Sequence, residues 1–97
     1  MDNKIVIYCQ IALKSRYVSL GDQLIPDIQK KKVYLVLISS NCGRNRLKKL
    51  CDKSTYYQIP YLIIDDADLQ QVCSRTLSSM GITNKGLANK IIQVKKG

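Results

Sequence analysis

Two runs of unbroken apolar character, YLVLIS at residues 34–39 and YLII at residues 61–64, constrain this chain more than any other feature. They are rich in β-branched and aromatic residues and show no polar alternation, the pattern of strands covered on both faces. A sheet built from them needs helices on either side. The segment between them supplies one. In RNRLKKLCDKS, residues 44–54, Leu47, Leu50 and Cys51 follow a three-four spacing, while Arg44, Asn45, Lys48, Lys49 and Lys53 fall on other faces. Asn41 and Gly43 mark the turn that precedes it.

The same reading extends towards both termini. Residues 5–13 read as a first helix and residues 17–19 as a short first strand. Pro26 is tolerated only in the first turn of a helix, because deeper inside it removes a hydrogen bond and clashes, at about 3 kcal/mol. The second helix therefore starts near residues 23–25, leaving Gly21 and Asp22 in the loop before it. After the second apolar run, Asp65 or Asp66 caps a helix in which Leu69, Val72 and Cys73 face inward and which ends near Arg75. A brief last strand at residues 80–82 follows, then Asn84 as the cap of a final helix with Leu87, Ile91 and Val94 inward. Regular alternation of helix and strand places the chain in the α/β class, as an α/β/α sandwich. With 97 residues there is room for one core, so a single domain, residues 1–97, is expected.

Several kinds of chemistry lack their residues. The chain has no histidine, so nucleophilic catalysis has no usual base. Gly21, Gly43, Gly81 and Gly86 stand apart, so no glycine-rich phosphate loop exists. Cys9, Cys42, Cys51 and Cys73 are widely spaced without a Cys-x-x-Cys pair, which argues against a metal site. Cys9, Cys51 and Cys73 lie in apolar phases of helices and read as reduced core thiols. Asp65 and Asp66 follow a strand at the end where α/β proteins hold ligands, but helix capping explains them more simply. Residues 5–13 are too short to span a bilayer and carry no cleavage site, so a cytoplasmic protein is expected. Neither an enzyme nor a cofactor is indicated.

What the composition does offer is charge. Sixteen Lys and Arg against seven Asp and Glu give +9, an excess that favours polyanionic partners. The cations cluster as Lys30, Lys31 and Lys32 at the entry to the central strand and as Arg44, Arg46, Lys48, Lys49 and Lys53 on the helix after it. Asp52 is the sole acid between Lys30 and Lys53. The two clusters can lie near one another. Tyr56 and Tyr57 are of the kind that stacks on bases. Their position just before a buried strand reads instead as core and rim packing.

The stretch LVLISSNCGRNRLKKLCDKSTYYQIP, residues 35–60, resembles the bacterial YlxQ-type branch of the ribosomal protein family usually called L-seven-Ae / L-thirty-e. Residues 35–39 match its buried strand. Asn45, Lys48 and Lys49 match its N-T-x-K-K helix, and Asp52, Lys53, Tyr56, Tyr57 and Pro60 match D-K-C-x-Y-Y-x-V-P. ITNKGLANKI, residues 82–91, is similar to the family's V-T-D-K-G-F-A-K/N-K-L ending, and IALKSRYVSLG, residues 11–21, to L-A-x-R-A-G-K-x-x-x-G.

The resemblance implies a three-layer α/β/α sandwich around a four-stranded mixed sheet. It also implies binding of structured RNA, typically kink-turns, within ribosomes or other ribonucleoproteins. Relatives read sheared G·A pairs with a G-x-N-E-x-x-K loop and helix start, base edges that a regular duplex hides. An ungapped register sets Leu20 at the motif glycine, Asp22 at the asparagine, Gln23 at the glutamate and Pro26 at the lysine; aligning Gly21 with the glycine instead shortens the chain by one residue. A second RNA-facing loop in relatives, introduced by L-G-x-A-x-G, corresponds here to Leu69 with Gln70 and Ser74 replacing glycines, and retains Arg75 as a phosphate ligand. The expected RNA-binding set is thus Gly21, Asp22 and Gln23 with Lys30, Lys31, Lys32, Arg44, Asn45, Arg46, Lys48, Lys49 and Arg75. The expected protein is a monomer bound to ribosomal or other kink-turn RNA, with ribosomal proteins as further partners and no membrane. The alternative is a protein-interaction module of the same fold whose RNA-reading loop has degenerated.

Overall fold

The computed structural model describes residues 4–72 and 78–96. The chain runs α1 (Lys4–Lys14), β1 (Val18–Leu20), a 3-10 turn (Gly21–Gln23) continuing into α2 (Leu24–Gln29), β2 (Leu35–Ser39), α3 (Arg44–Tyr56), β3 (Tyr61–Ile64), α4 (Asp66–Val72), β4 (Ser79–Ile82) and α5 (Lys85–Lys96). The four strands form one mixed sheet in the order β1-β4-β2-β3. β4 is antiparallel to both its neighbours, with Ser19 opposite Gly81 and Leu37 opposite Met80, while β2 and β3 are parallel, with Leu37 opposite Leu62.

All five residues of β2 are buried, which is why its sequence shows no alternation. Leu35 and Leu37 join Met80 and Ile82 against Val6, Cys9 and Ala12 of α1, Leu69 of α4 and Ile91 of α5. Val36 and Ile38 face the opposite layer, where Leu24 and Ile28 of α2 and Leu50 of α3 cover them with Val33 and Ile59. The result is the three-layer sandwich expected from the alternation.

Helix ends explain where the elements stop. The Tyr17 amide bonds to the Ala12 carbonyl at 2.8 Å, Lys32 to Asp27 at 2.9 Å and Ile59 to Ser54 at 2.7 Å, each with the preceding residue bonded back three positions. This is the Schellman closure of α1, α2 and α3, and it puts Arg16, Lys31 and Gln58 at φ of 62°, 59° and 59°, a conformation usually left to glycine. Because Tyr17 closes α1, β1 begins at Val18, one residue later than the sequence pattern indicates, and runs to Leu20. β4 includes Ser79, which pairs with Ile38.

At α5, the Leu87 amide donates to Asn84 Oδ1 at 3.0 Å, the cap expected there. At α4 the expected capping divides between two aspartates. The Asp65 carbonyl accepts the Leu69 amide at 3.1 Å. Asp66 sits in the first turn, where its carboxylate accepts from Ser39 Oγ and Gln70 Nε2, each at 2.7 Å. The expected end of that helix near Arg75, and Cys73, lie outside the described residues. The three described cysteines are free thiols. Cys9 is fully buried, and burial pushes its thiol up to about 12, so it is an inert core group. Cys51, expected in the core, is half-buried beneath the edge of the α3 layer. Among the described residues no helix is long and apolar enough to cross a membrane, and no group of three or more His, Cys, Asp or Glu is placed to hold a metal ion.

Candidate nucleic-acid interface

Because β1 and β2 are both antiparallel to β4, and β3 is parallel to β2, three strands point the same way. Their C-terminal ends share one edge of the sandwich, the place where α/β folds collect ligand-binding loops. The 3-10 turn after β1, the turn at residues 40–43, the start of α4 and the first residue of β4 all gather there. We call this the exit end. α2 and α3 both begin at it and run side by side to the opposite, entry end, where β2 and β3 start.

The 3-10 turn is held from three directions. Gly21 has φ of +58°, and the conformational freedom of glycine allows it. Beneath the turn, a Cβ on Gly81 would lie 2.6 Å from Leu24 Cδ1 and 3.0 Å from Val33 Cγ1, so the bare backbone of β4 is what lets the first residue of α2 press onto the sheet. Pro26 falls within the first turn of α2, where its missing amide costs no helix bond.

Behind the turn, Asp27 is 9% exposed; its carboxylate accepts from Ser19 Oγ at 2.8 Å and from Gln23 Nε2 at 3.1 Å. The Gln23 hydrogen bond holds the Asp27 carboxyl below its ordinary value, against the opposing effect of burial, with Ser19, Lys32 and Lys30 acting in the same direction as Gln23. From α3, Arg46 Nη2 donates to the Gly21 carbonyl and to Ser79 Oγ, both at 3.4 Å, while its buried Nε has no partner among the described residues.

α3 opens unusually. Gly43 offers no side-chain cap, the first turn contains no acid, and Arg44 and Arg46 stand there instead. Cations at the positive end of a helix dipole are each unfavourable by about 0.3–1 kcal/mol, so this arrangement opposes stability and favours an anion from outside.

The expected site residues divide. Gly21, Asp22, Gln23, Arg44, Asn45 and Arg46 meet at the exit end, where Asp22, Arg44 and Asn45 are exposed and Arg46 is half-buried. Gln23 does not extend freely to solvent: one amide hydrogen is committed to Asp27, which leaves its carbonyl oxygen and second hydrogen for a ligand. Lys48 and Lys49 are exposed further along α3. Lys30, Lys31 and Lys32 follow the C-terminus of α2 at the entry end, so they lie far from Arg44 and Arg46. A helix of 13 residues, the length of α3, spans about 20 Å. Lys31 lines one shallow depression with Tyr56, Tyr57 and Gln58, and Lys49 and Lys53 line another with Asp52 and the same two tyrosines at the end of α3. Arg75 lies outside the described residues.

Three residues of the exit end escaped the sequence reading. Ser19 and Asp27 form a buried pair eight positions apart, on a strand too short to show its faces and a helix of six residues. Ser79 approaches Arg46 across 33 positions. The one available signal was Asp27 itself, an acid between Ile25 and Ile28 on a short apolar helix.

Comparison with known proteins gives this geometry its relatives. The chain is 28% identical over 89 residues to the RNA-binding protein YlxQ of Enterococcus faecium, covering 90% of this chain and 86% of that one. It is 30% identical over 90 residues to the RNA-binding protein YlxQ of Bacillus subtilis (strain 168), covering 87% of each. The solved structure of a Bacillus halodurans protein of unknown function superposes with a TM-score of 0.91 at 25% identity, covering 99% of this chain and all of that one. The fold is also shared by a Giardia lamblia 15.5kD RNA binding protein, at a TM-score of 0.78 and 14% identity over 95% of this chain and 84% of that one. Residues 3–92 match one family model, and with it the strand, helix and ending motifs find their common origin: the chain belongs to the ribosomal protein L7Ae/L30e/S12e/Gadd45 family.

Proposed function

We propose that the chain acts as one non-enzymatic, cytoplasmic RNA-binding domain that recognises structured, kink-turn-like RNA in a ribosome-associated role. The observation that carries this reading is the uncapped start of α3, where Arg44 and Arg46 stand at a positive helix terminus beside the 3-10 turn. Such a terminus accepts phosphate, and the exposed Arg44 in its first turn supplies a cation to meet it. Asp22 and the free half of the Gln23 amide offer an acceptor and a donor to exposed base edges. The relatives named as RNA-binding proteins support the same reading.

The test is a gel shift with a standard kink-turn, the same RNA with its G·A pairs replaced, and a plain duplex. Tighter binding to the first is expected. With about five phosphates engaged, log K falls against log salt with a slope of roughly −4. Equal binding to all three RNAs reduces the interface to a basic surface, and a flat salt response removes RNA as the partner. A pull-down that survives nuclease would then favour a protein-interaction module.

A further inference from the structure

The entry end of the sandwich has a surface that the exit-end reading does not use. Lys49, Lys53 and Tyr56 recur at four- and three-residue intervals along α3 and share one face, and with Asp52 and Tyr57 they line a depression. A second depression continues it across Tyr56 and Tyr57 to Lys31 and Gln58. Tyr56 is 78% exposed, a large aromatic ring that buries almost nothing. Tyr57, half-buried against the core beneath α2 and α3, holds it at a ring separation of 4.8 Å and an interplanar angle of 75°. The core and rim packing expected from sequence describes Tyr57 and fails for Tyr56. Tyr34, on the same end of the sheet, is 43% exposed.

We infer that this Tyr56–Lys31 surface is a second RNA contact, which takes an unpaired, single-stranded segment by stacking a base on Tyr56 while Lys31, Lys49 and Lys53 meet its phosphates. An exposed aromatic braced by a second ring and flanked by cations is the chemistry of single-strand binding, sequence-tolerant because every base has a π-face. Charge selects nucleic acid as the occupant: Asp52 is the sole acid between Lys30 and Lys53 in a chain of net charge +9. Lys31 and Gln58, each the left-handed residue that closes a helix, form the rim. The surface is distinct from the exit end and does not require kink-turn recognition.

The test is fluorescence anisotropy of the full chain with a twelve-residue oligouridylate, which contains no kink-turn. Tyr56→Ala, a substitution at an exposed position that leaves the core intact, is expected to weaken binding about tenfold. Tyr56→Phe is expected to stay within twofold of the parent, and Lys53→Gln to lower both affinity and salt dependence. Photocrosslinking with 5-iodouridine in the oligomer is expected to map to Tyr56. Unchanged binding by Tyr56→Ala, an equal loss in Tyr56→Phe, or displacement of the oligomer by polyglutamate of the same charge would overturn the inference. Loss of kink-turn binding bears only on the exit end, and loss of oligouridylate binding only on this surface.

Discussion

At the exit end of the α2 and α3 layer two helices begin; at the entry end the same two helices stop, and both ends are cationic for opposite reasons. Arg44 and Arg46 sit where the helix dipole already makes the site positive, which opposes stability; Arg46 offsets this through its bonds to Gly21 and Ser79, whereas the exposed Arg44 is left to an anion from outside. Lys30 to Lys32 and Lys53 sit near helix C-termini, where the same charges favour the fold. The ends also treat left-handed backbone differently. The exit end uses Gly21, whereas the entry end asks Lys31 and Gln58 to adopt that conformation and keeps their side chains. A count of lysines and arginines cannot separate these cases; the polarity of the helix beneath each charge does.

The comparison can be broken by substitutions at either end. Leu24→Ala should have the largest effect, because Leu24 is fully buried on Gly81 and anchors the 3-10 turn; a loss of about 2–5 kcal/mol in chemical denaturation is expected. Asp27→Ala comes next. It leaves Ser19 Oγ buried without an acceptor and releases Gln23, at about 1–3 kcal/mol. Its effect depends on pH with a definite sign. Because the folded-state value of Asp27 is lowered, its contribution is complete above the unfolded carboxylate value of about 3.9 and disappears as pH falls through the folded one. The stability gap between parent and variant should therefore narrow in acid, and a gap that widens would refute the assignment.

Gly21→Ala should cost about 1–2 kcal/mol through its positive φ and weaken kink-turn binding with no effect on oligouridylate. The smallest effect is expected at the entry end, with the opposite sign. Gln58→Gly should raise stability by roughly 0.5 kcal/mol, a difference between relief of a left-handed side chain and added chain entropy, measured as a higher denaturation midpoint. Destabilisation by that change would mean that the Gln58 side chain supports the fold.

What the sequence disclosed and what it concealed follows from interaction range. β2 was legible because full burial removes polar residues from a run, and α5 because Asn84 caps it three residues before Leu87. β3 carries the same apolar run but is not covered on both faces as expected: it lies at the edge of the sheet, with Tyr61 and Ile63 exposed. Gly21 and the constraint at Pro26 were legible for the same local reasons. The contacts that shape the site were not: Arg46 reaches Gly21 and Ser79 across 25 and 33 positions, and no residue type or spacing announces a bond of that kind. Tyr56 was concealed differently. It shares a two-residue motif with a buried neighbour, and sequence assigned both rings to one environment where the end of α3 divides them.

The strand order carries a consequence for synthesis. Among the described residues β1 pairs with β4 and with no other strand, and β4 is the last of the four strands to be made. A chain emerging from the ribosome can pair β2 with β3 and lay α3 across them while β1 still has no neighbour. The 3-10 turn, the Ser79 contact and the packing of Leu24 on Gly81 become possible only once β4 inserts between β1 and β2. The exit-end surface thus assembles last, and a nascent chain with an exposed run of cations lacks the geometry to engage RNA selectively until its central strand arrives.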